Sequence, residues 1–152
     1  MKISRLWLLL FTLLSLIGTQ SAIASSGCTS GERDEAKAKA VFVGLKMKEK
    51  GYKLKASHFD CASTRKKETY TIKNVQAGKK HIFVVVGSKY ATDIDSWLTT
   101  MDGQIIDSDT KTDKLPIVQV SASFKMKLKL KVRVYNSHAS TAEIVILDFI
   151  EQ

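Results

Sequence analysis

Between Lys125 and Tyr135 the chain reads KMKLKLKVRVY, with apolar and basic positions in alternation. Successive side chains of a strand point to opposite faces, so a strand here has an apolar face and a basic one. Met126, Leu128, Leu130, Val132 and Val134 make the first; Lys125, Lys127, Lys129, Lys131 and Arg133 make the second. A helix would scatter the same charges around its axis. The apolar face predicts a sheet packed on a core. Like charges on one strand face stand roughly 7 Å apart and repel. Three explanations fit: acidic neighbours on adjacent strands neutralise them, the lysines guard a sheet edge against aggregation, or the face is kept for an anionic partner.

Helical periodicity is confined to residues 32–55. Ala38, Val41, Phe42, Leu45 and Tyr52 recur at spacings near three, four and seven and predict one apolar stripe. Thr29 or Ser30 can cap the start, Glu32, Asp34 and Glu35 suit the positive N-terminal end, and Gly51 is a stop signal. From Glu68 onward the chain reads as strands and turns. The expected strands are 69–72, 81–86, 95–101, 104–106, 117–124, 125–135 and 143–150. Asp102-Gly103 is a strong hairpin signal, and Asn136-Ser137-His138 reads as a turn. The last strand is apolar on both faces and is therefore expected at the centre of a sheet. The fold class is mainly β: an antiparallel, jelly-roll-like β-sandwich of about seven strands with one N-terminal α-helix.

The ends and the composition add a location. Lys2 and Arg5 precede a short apolar run, Leu6 to Ile17, and Ala22-Ile23-Ala24 has the small-x-small pattern of a cleavage site. Residues 1–24 read as a signal peptide, and the rest contains no other apolar run of membrane length. Residues 25–67 are expected to form a helix and a disulfide-tied loop, in one compact unit with a β-sandwich over 68–152. The expected location is periplasmic or secreted. Setting aside Lys2 and Arg5 leaves 22 basic against 15 acidic residues, a net charge of +7. Six acids and one base fall between Asp93 and Asp113, so the rest of the chain is strongly basic. Such a balance favours anionic partners, and export disfavours nucleic acid among them. Cys28 and Cys61 are the two cysteines, and in an oxidising compartment a disulfide between them is the default.

The stretch from Lys73 to Ile150 resembles the bacterial pre-peptidase C-terminal (PPC) domain, a small jelly-roll-like sandwich. The matching residues are Val75-Gln76-Ala77-Gly78-Lys79-Lys80-His81-Ile82-Phe83-Val84-Val85, then Asp93-Ile94-Asp95, the Asp102-Gly103 turn, and Leu130-Lys131-Val132-Arg133-Val134-Tyr135. They cover about half of the chain after the leader, and the lysine-laden late strand is not part of the family pattern. The resemblance implies a non-catalytic module that binds matrix or assists secretion, with calcium in some members.

Few residues point to chemistry. Gly87-Ser88 lacks the G-x-S-x-G elbow, and His58, His81 and His138 have no partners recognisable by spacing. Asp93 and Asp95 have the spacing of a glycosidase carboxylate pair, about 5 to 9 Å, but so do many turn aspartates. No enzyme is expected. Asp93, Asp95, Asp107 and Asp109 bracket the hairpin and could hold a structural Ca²⁺, although no cofactor is required. The best-supported site is the basic face: Lys127, Lys129 and Lys131 at its centre, Lys125 and Arg133 at its margins, with Arg65, Lys66 and Lys67 as an extension. Lysine suits phosphate or sulfate without fixed geometry. The expected function is binding of an anionic lipid headgroup, acidic glycan or acidic protein. The alternative is a protein–protein module, such as an inhibitor or neutraliser of an exported enzyme.

Overall fold

The computed structural model describes residues 27–64, 66–135 and 139–152. The expected signal peptide, Arg65 and the expected turn at Asn136-Ser137-His138 lie outside them. One helix, α1 (Ser30–Glu49), precedes eight strands: β1 (Tyr52–Ser63), β2 (Lys67–Val75), β3 (Lys80–Gly87), β4 (Asp93–Thr99), β5 (Ile105–Asp109), β6 (Ile117–Ser121), β7 (Met126–Tyr135) and β8 (Thr141–Glu151).

Thr29 caps α1 through a capping box. The Glu32 N–H donates to Thr29 Oγ1 at 3.3 Å, and the Thr29 N–H donates to Glu32 Oε2 at 2.8 Å. The helix stops at Glu49, earlier than its periodicity predicts, because Gly51 takes a left-handed φ of +85°. Tyr52-Lys53-Leu54 then already alternates as a strand, and β1 is the element that the sequence reading absorbed into the helix and a loop. The buried stripe of α1 is Ala36, Ala40 and Met47, with Val43 beside it. Phe42 and Leu45, expected on that stripe, are 62% and 40% exposed. Two apolar stripes compete on this helix, and the one with small residues packs on the sheet, where alanines let the helix axis approach closely.

The strands form two antiparallel sheets, ordered β1-β8-β3-β6 and β2-β7-β4-β5. β1 pairs with β8, β2 with β7, β3 with β6 and β4 with β5. This is one long hairpin rolled over on itself, with Asp102-Gly103 at its tip, which is the jelly-roll wrap. Gly103 has φ +100°, a conformation glycine adopts freely. Rolling makes β8 and β7 interior strands, each in its own sheet.

Between the sheets lies the main core, with Phe83, Val85, Ile94, Leu98, Leu128, Leu130, Val132, Val134, Ile144 and Ile146. A second core lies outside the first sheet, where α1 covers Ile82, Val84, Val86, Val145, Leu147 and Phe149. The Cys28–Cys61 disulfide and the Arg33–Glu143 ion pair (3.0 Å) fasten the start of α1 to this sheet. Such a bridge fits an oxidising compartment. No helix among the described residues is long and apolar enough to cross a membrane.

The two open sides of the sandwich are closed differently. On one, β5 carboxylates satisfy the free N–H groups of β6: Gln119 N–H donates to Asp107 Oδ2 at 2.8 Å and Ile117 N–H to Asp109 Oδ2 at 3.0 Å. On the other, Tyr70 Oη donates to Asp60 Oδ2 at 2.6 Å and Lys55 Nζ donates to the Asn74 carbonyl. A cleft of about 700 Å³ remains there between β1 and β2.

Candidate functional site

The basic row of β7 lies on the outer face of the second sheet, and Leu128, Leu130, Val132 and Val134 fill the core beneath it. β7 pairs on both sides, so its lysines do not guard an edge. Lys125 stands exposed just before the strand. α1 packs on β8, β1 and β3, on the far side of the other sheet from this face.

Cross-strand pairing shows which charges are neutralised. Arg133 lies opposite Asp95 on β4 and Lys67 on β2, and Asp93 lies opposite Tyr135. Arg133 Nη1 donates to Tyr135 Oη at 2.9 Å, and the Tyr135 hydroxyl donates in turn to Asp95. Asp95 is 8% exposed, and burial pushes its carboxyl above the usual range; Tyr135 pulls it down, Asp93 adds to the rise, and Arg133 and Lys67 oppose it. This end of the face is an internally balanced cluster.

The other end is not. Lys131 lies between Thr69 and Trp97, and Lys129 lies between Thr71 and Thr99. Neither lies opposite a carboxylate; the Asp102 carboxyl, in the turn beyond Lys129, is lowered mainly by the Thr100 hydroxyl and to a smaller degree by Lys129. Lys129 Nζ donates to the Met101 carbonyl at 2.8 Å, and Lys127 is exposed beside the bulge between Ile72 and Val75. Lys67 reaches diagonally across β7, and its Nζ sits 3.7 Å from the centroid of the Trp97 ring. Of the expected extension Lys67 therefore joins the face, while Lys66 is exposed in the link before β2.

The sequence reading missed Trp97, Thr69, Thr71 and Tyr135. Period two along Asp93-Ile94-Asp95-Ser96-Trp97-Leu98-Thr99 places Asp93, Asp95, Trp97 and Thr99 on one face, so that signal was present. Which strand lies beside β7 was not.

The four candidate metal ligands are not brought together. Asp93 and Asp95 stand on the outer face, whereas Asp107 and Asp109 pair with the inward-facing Leu98 and Ser96 and accept from β6. Among the described residues, three potential ligand groups converge only at Cys28, Cys61 and Glu143, where both sulfurs are in the disulfide. His81 is fully buried with both ring nitrogens engaged: Nδ1–H donates to Asp148 Oδ1 at 2.9 Å and Nε2 accepts the Gln76 N–H at 3.1 Å. Lys55 completes that network at 3.5 Å from Asp148. His58 is exposed at the rim of the cleft, against the Tyr70 ring. Burial and the bond to Asp60 both raise the Tyr70 phenol, which stays protonated.

No protein-family model and no curated protein matches the sequence. Among solved structures, the chain is similar to Aeromonas hydrophila PliG, a periplasmic lysozyme inhibitor of g-type lysozyme. The identity is 12% and the TM-score 0.47, over 63% of this chain and 85% of that one. At that similarity no residue role is carried over.

Proposed function

We propose that the protein is a non-catalytic binding module that takes an acidic surface of another protein, such as an exported enzyme, on the outer face of the β2-β7-β4-β5 sheet. One observation carries the reading: Lys129 and Lys131 stand in mid-sheet, uncovered, opposite hydroxyls and one indole in place of carboxylates, with Lys127 exposed next to them at the β2 bulge and Asp102 of the hairpin turn near Lys129 alone. Aligning like charges on a central strand has no benefit for the fold itself, since threonines would pair there without repulsion. The face is open and flat, whereas small ligands are held in concave pockets. Trp97, Tyr135 and Arg133 are of the residue types enriched in protein interfaces. Phosphorylated lipid headgroups and acidic glycans share the charge, and the test separates them.

The native protein and the K127E/K129E variant are immobilised side by side. Each is presented with the exported proteins of the producing cell, with phosphatidylglycerol vesicles and with heparin, at low and high salt. The expected result is a protein retained by the native chain, released by salt and lost on the variant. Equal retention by the variant would remove the basic face from the function. Retention of vesicles or heparin alone would replace the protein partner by that ligand.

A further inference from the structure

We propose that Trp97, with Lys67 over its ring and Lys131 beside it, is the anchor of this face, and that it takes an acidic segment of a partner protein in which a carboxylate stands next to an aliphatic side chain. The inference rests on the binding reading above and names what the partner must present.

Trp97 lies between Lys131 of β7 and Ser108 of β5, in the middle of the uncovered face. It is the aromatic group there that is not tied into the Asp95 cluster, with the exposed Ile105 opposite Thr99 as an aliphatic group on the same face; Tyr135 is held by Arg133 through both its ring and its hydroxyl. In the free protein the Lys67 ammonium shields the indole, at 3.7 Å from its centroid. Lys67 and Lys131 have no carboxylate opposite them among the described residues, apart from the diagonal influence of Asp95 on Lys67. An arriving carboxylate draws the Lys67 ammonium to itself, and this uncovers the ring for an aliphatic neighbour. Charge attracts the segment, and indole contact holds it. Tryptophan is among the residue types that dominate interface energetics when surrounded by groups that exclude water.

The test uses the full chain carrying Trp7→Phe, so that Trp97 is its sole tryptophan. Two synthetic peptides of equal charge are titrated, acetyl-Glu-Leu-Glu-Leu-Glu-amide and acetyl-Glu-Gly-Glu-Gly-Glu-amide. The leucine peptide is expected to shift Trp97 emission to the blue and to bind about tenfold tighter, a difference of about 1.4 kcal/mol. Trp97→Phe, which keeps an aromatic ring on the face, should narrow that preference and Trp97→Ala abolish it, measured by calorimetry. Equal affinity for the two peptides, or unchanged Trp97 emission at saturation, overturns the anchor. If binding is then still lost in K127E/K129E, the basic face survives without it. If K127E/K129E binds both peptides as the native chain does, the anchor and the binding reading both fall.

Discussion

β7 and β8 occupy equivalent places, each second in its sheet and each packed inward on the same core, yet their sequences follow different rules. β8 buries Ala142 through Phe149 on both faces, because the other sheet lies beneath it and α1 lies above. β7 alternates, because nothing described lies above it. The difference is one of cover. An interior strand is apolar on both sides when both of its sides are roofed, and strand position alone does not decide it. An uncovered outer face need only be polar. That on β7 is polar with a single sign of charge, and the proposed binding function rests on this excess over the folding requirement.

The comparison breaks most visibly at single side chains. Phe149→Ala on the roofed face of β8 should cost about 4 kcal/mol, since the ring is 1% exposed and leaves a cavity. Lys131→Ala on the open face of β7 should stay within about 0.5 kcal/mol. Denaturant unfolding of the two variants measures both. A large loss at Lys131 would mean that the face is roofed in solution.

The roof is held by the disulfide. Replacing Cys28 and Cys61 by serine opens a link between residues 33 apart in sequence and should cost about 3 kcal/mol. Hydrogen exchange should show protection lost first in α1 and β1 and kept in β7. Arg33→Met should follow at about 2 kcal/mol, because it strands the Glu143 carboxylate, which is fully buried and whose Oε2 has no partner. Adding Glu143→Met should recover most of that loss in thermal melts; failure to recover it would show that the pair positions α1 as well as neutralising charge.

Much of this contrast was legible in the sequence. Alternation in 125–135 and the apolar run in 143–150 report the cover over each strand directly, and the Asp102-Gly103 turn marks the tip of the roll. The disulfide and the Thr29 cap were equally local. What failed was non-local. Phe42 and Leu45 form as good a helical stripe as Ala36, Ala40 and Met47, and only the contact with the sheet selects the smaller set. β1 was lost because its alternation lasts only from Tyr52 to Lys55 before Ala56-Ser57-His58 blurs period two, at a register shift against β8. The division of the basic row into a balanced end and an unbalanced one depends on pairing register, which puts Asp95 opposite Arg133 and Trp97 opposite Lys131. Likewise the two aspartate pairs of the hairpin look adjacent in sequence, and the pleat sends them to opposite faces.

The smallest expected effect tests whether the balanced end is balanced for stability. Burial raises the Asp95 carboxyl above its unfolded value, the larger influence, while Tyr135, Arg133 and Lys67 only partly oppose it. An acid whose native value exceeds its unfolded one binds its proton more tightly when folded. Stability from this group therefore falls as pH rises from about 4, the unfolded value, through the higher native one, and the full penalty is present above both. Asp95→Asn, which still accepts from Tyr135, should raise Tm slightly at pH 7, and the gain should vanish in acid where native Asp95 holds its own proton. A lower Tm at pH 7 would mean that attraction to Arg133 outweighs desolvation. The outer face would then be stabilised by ion pairing at one end, and only the lysines at the other end would be held at a cost to the fold.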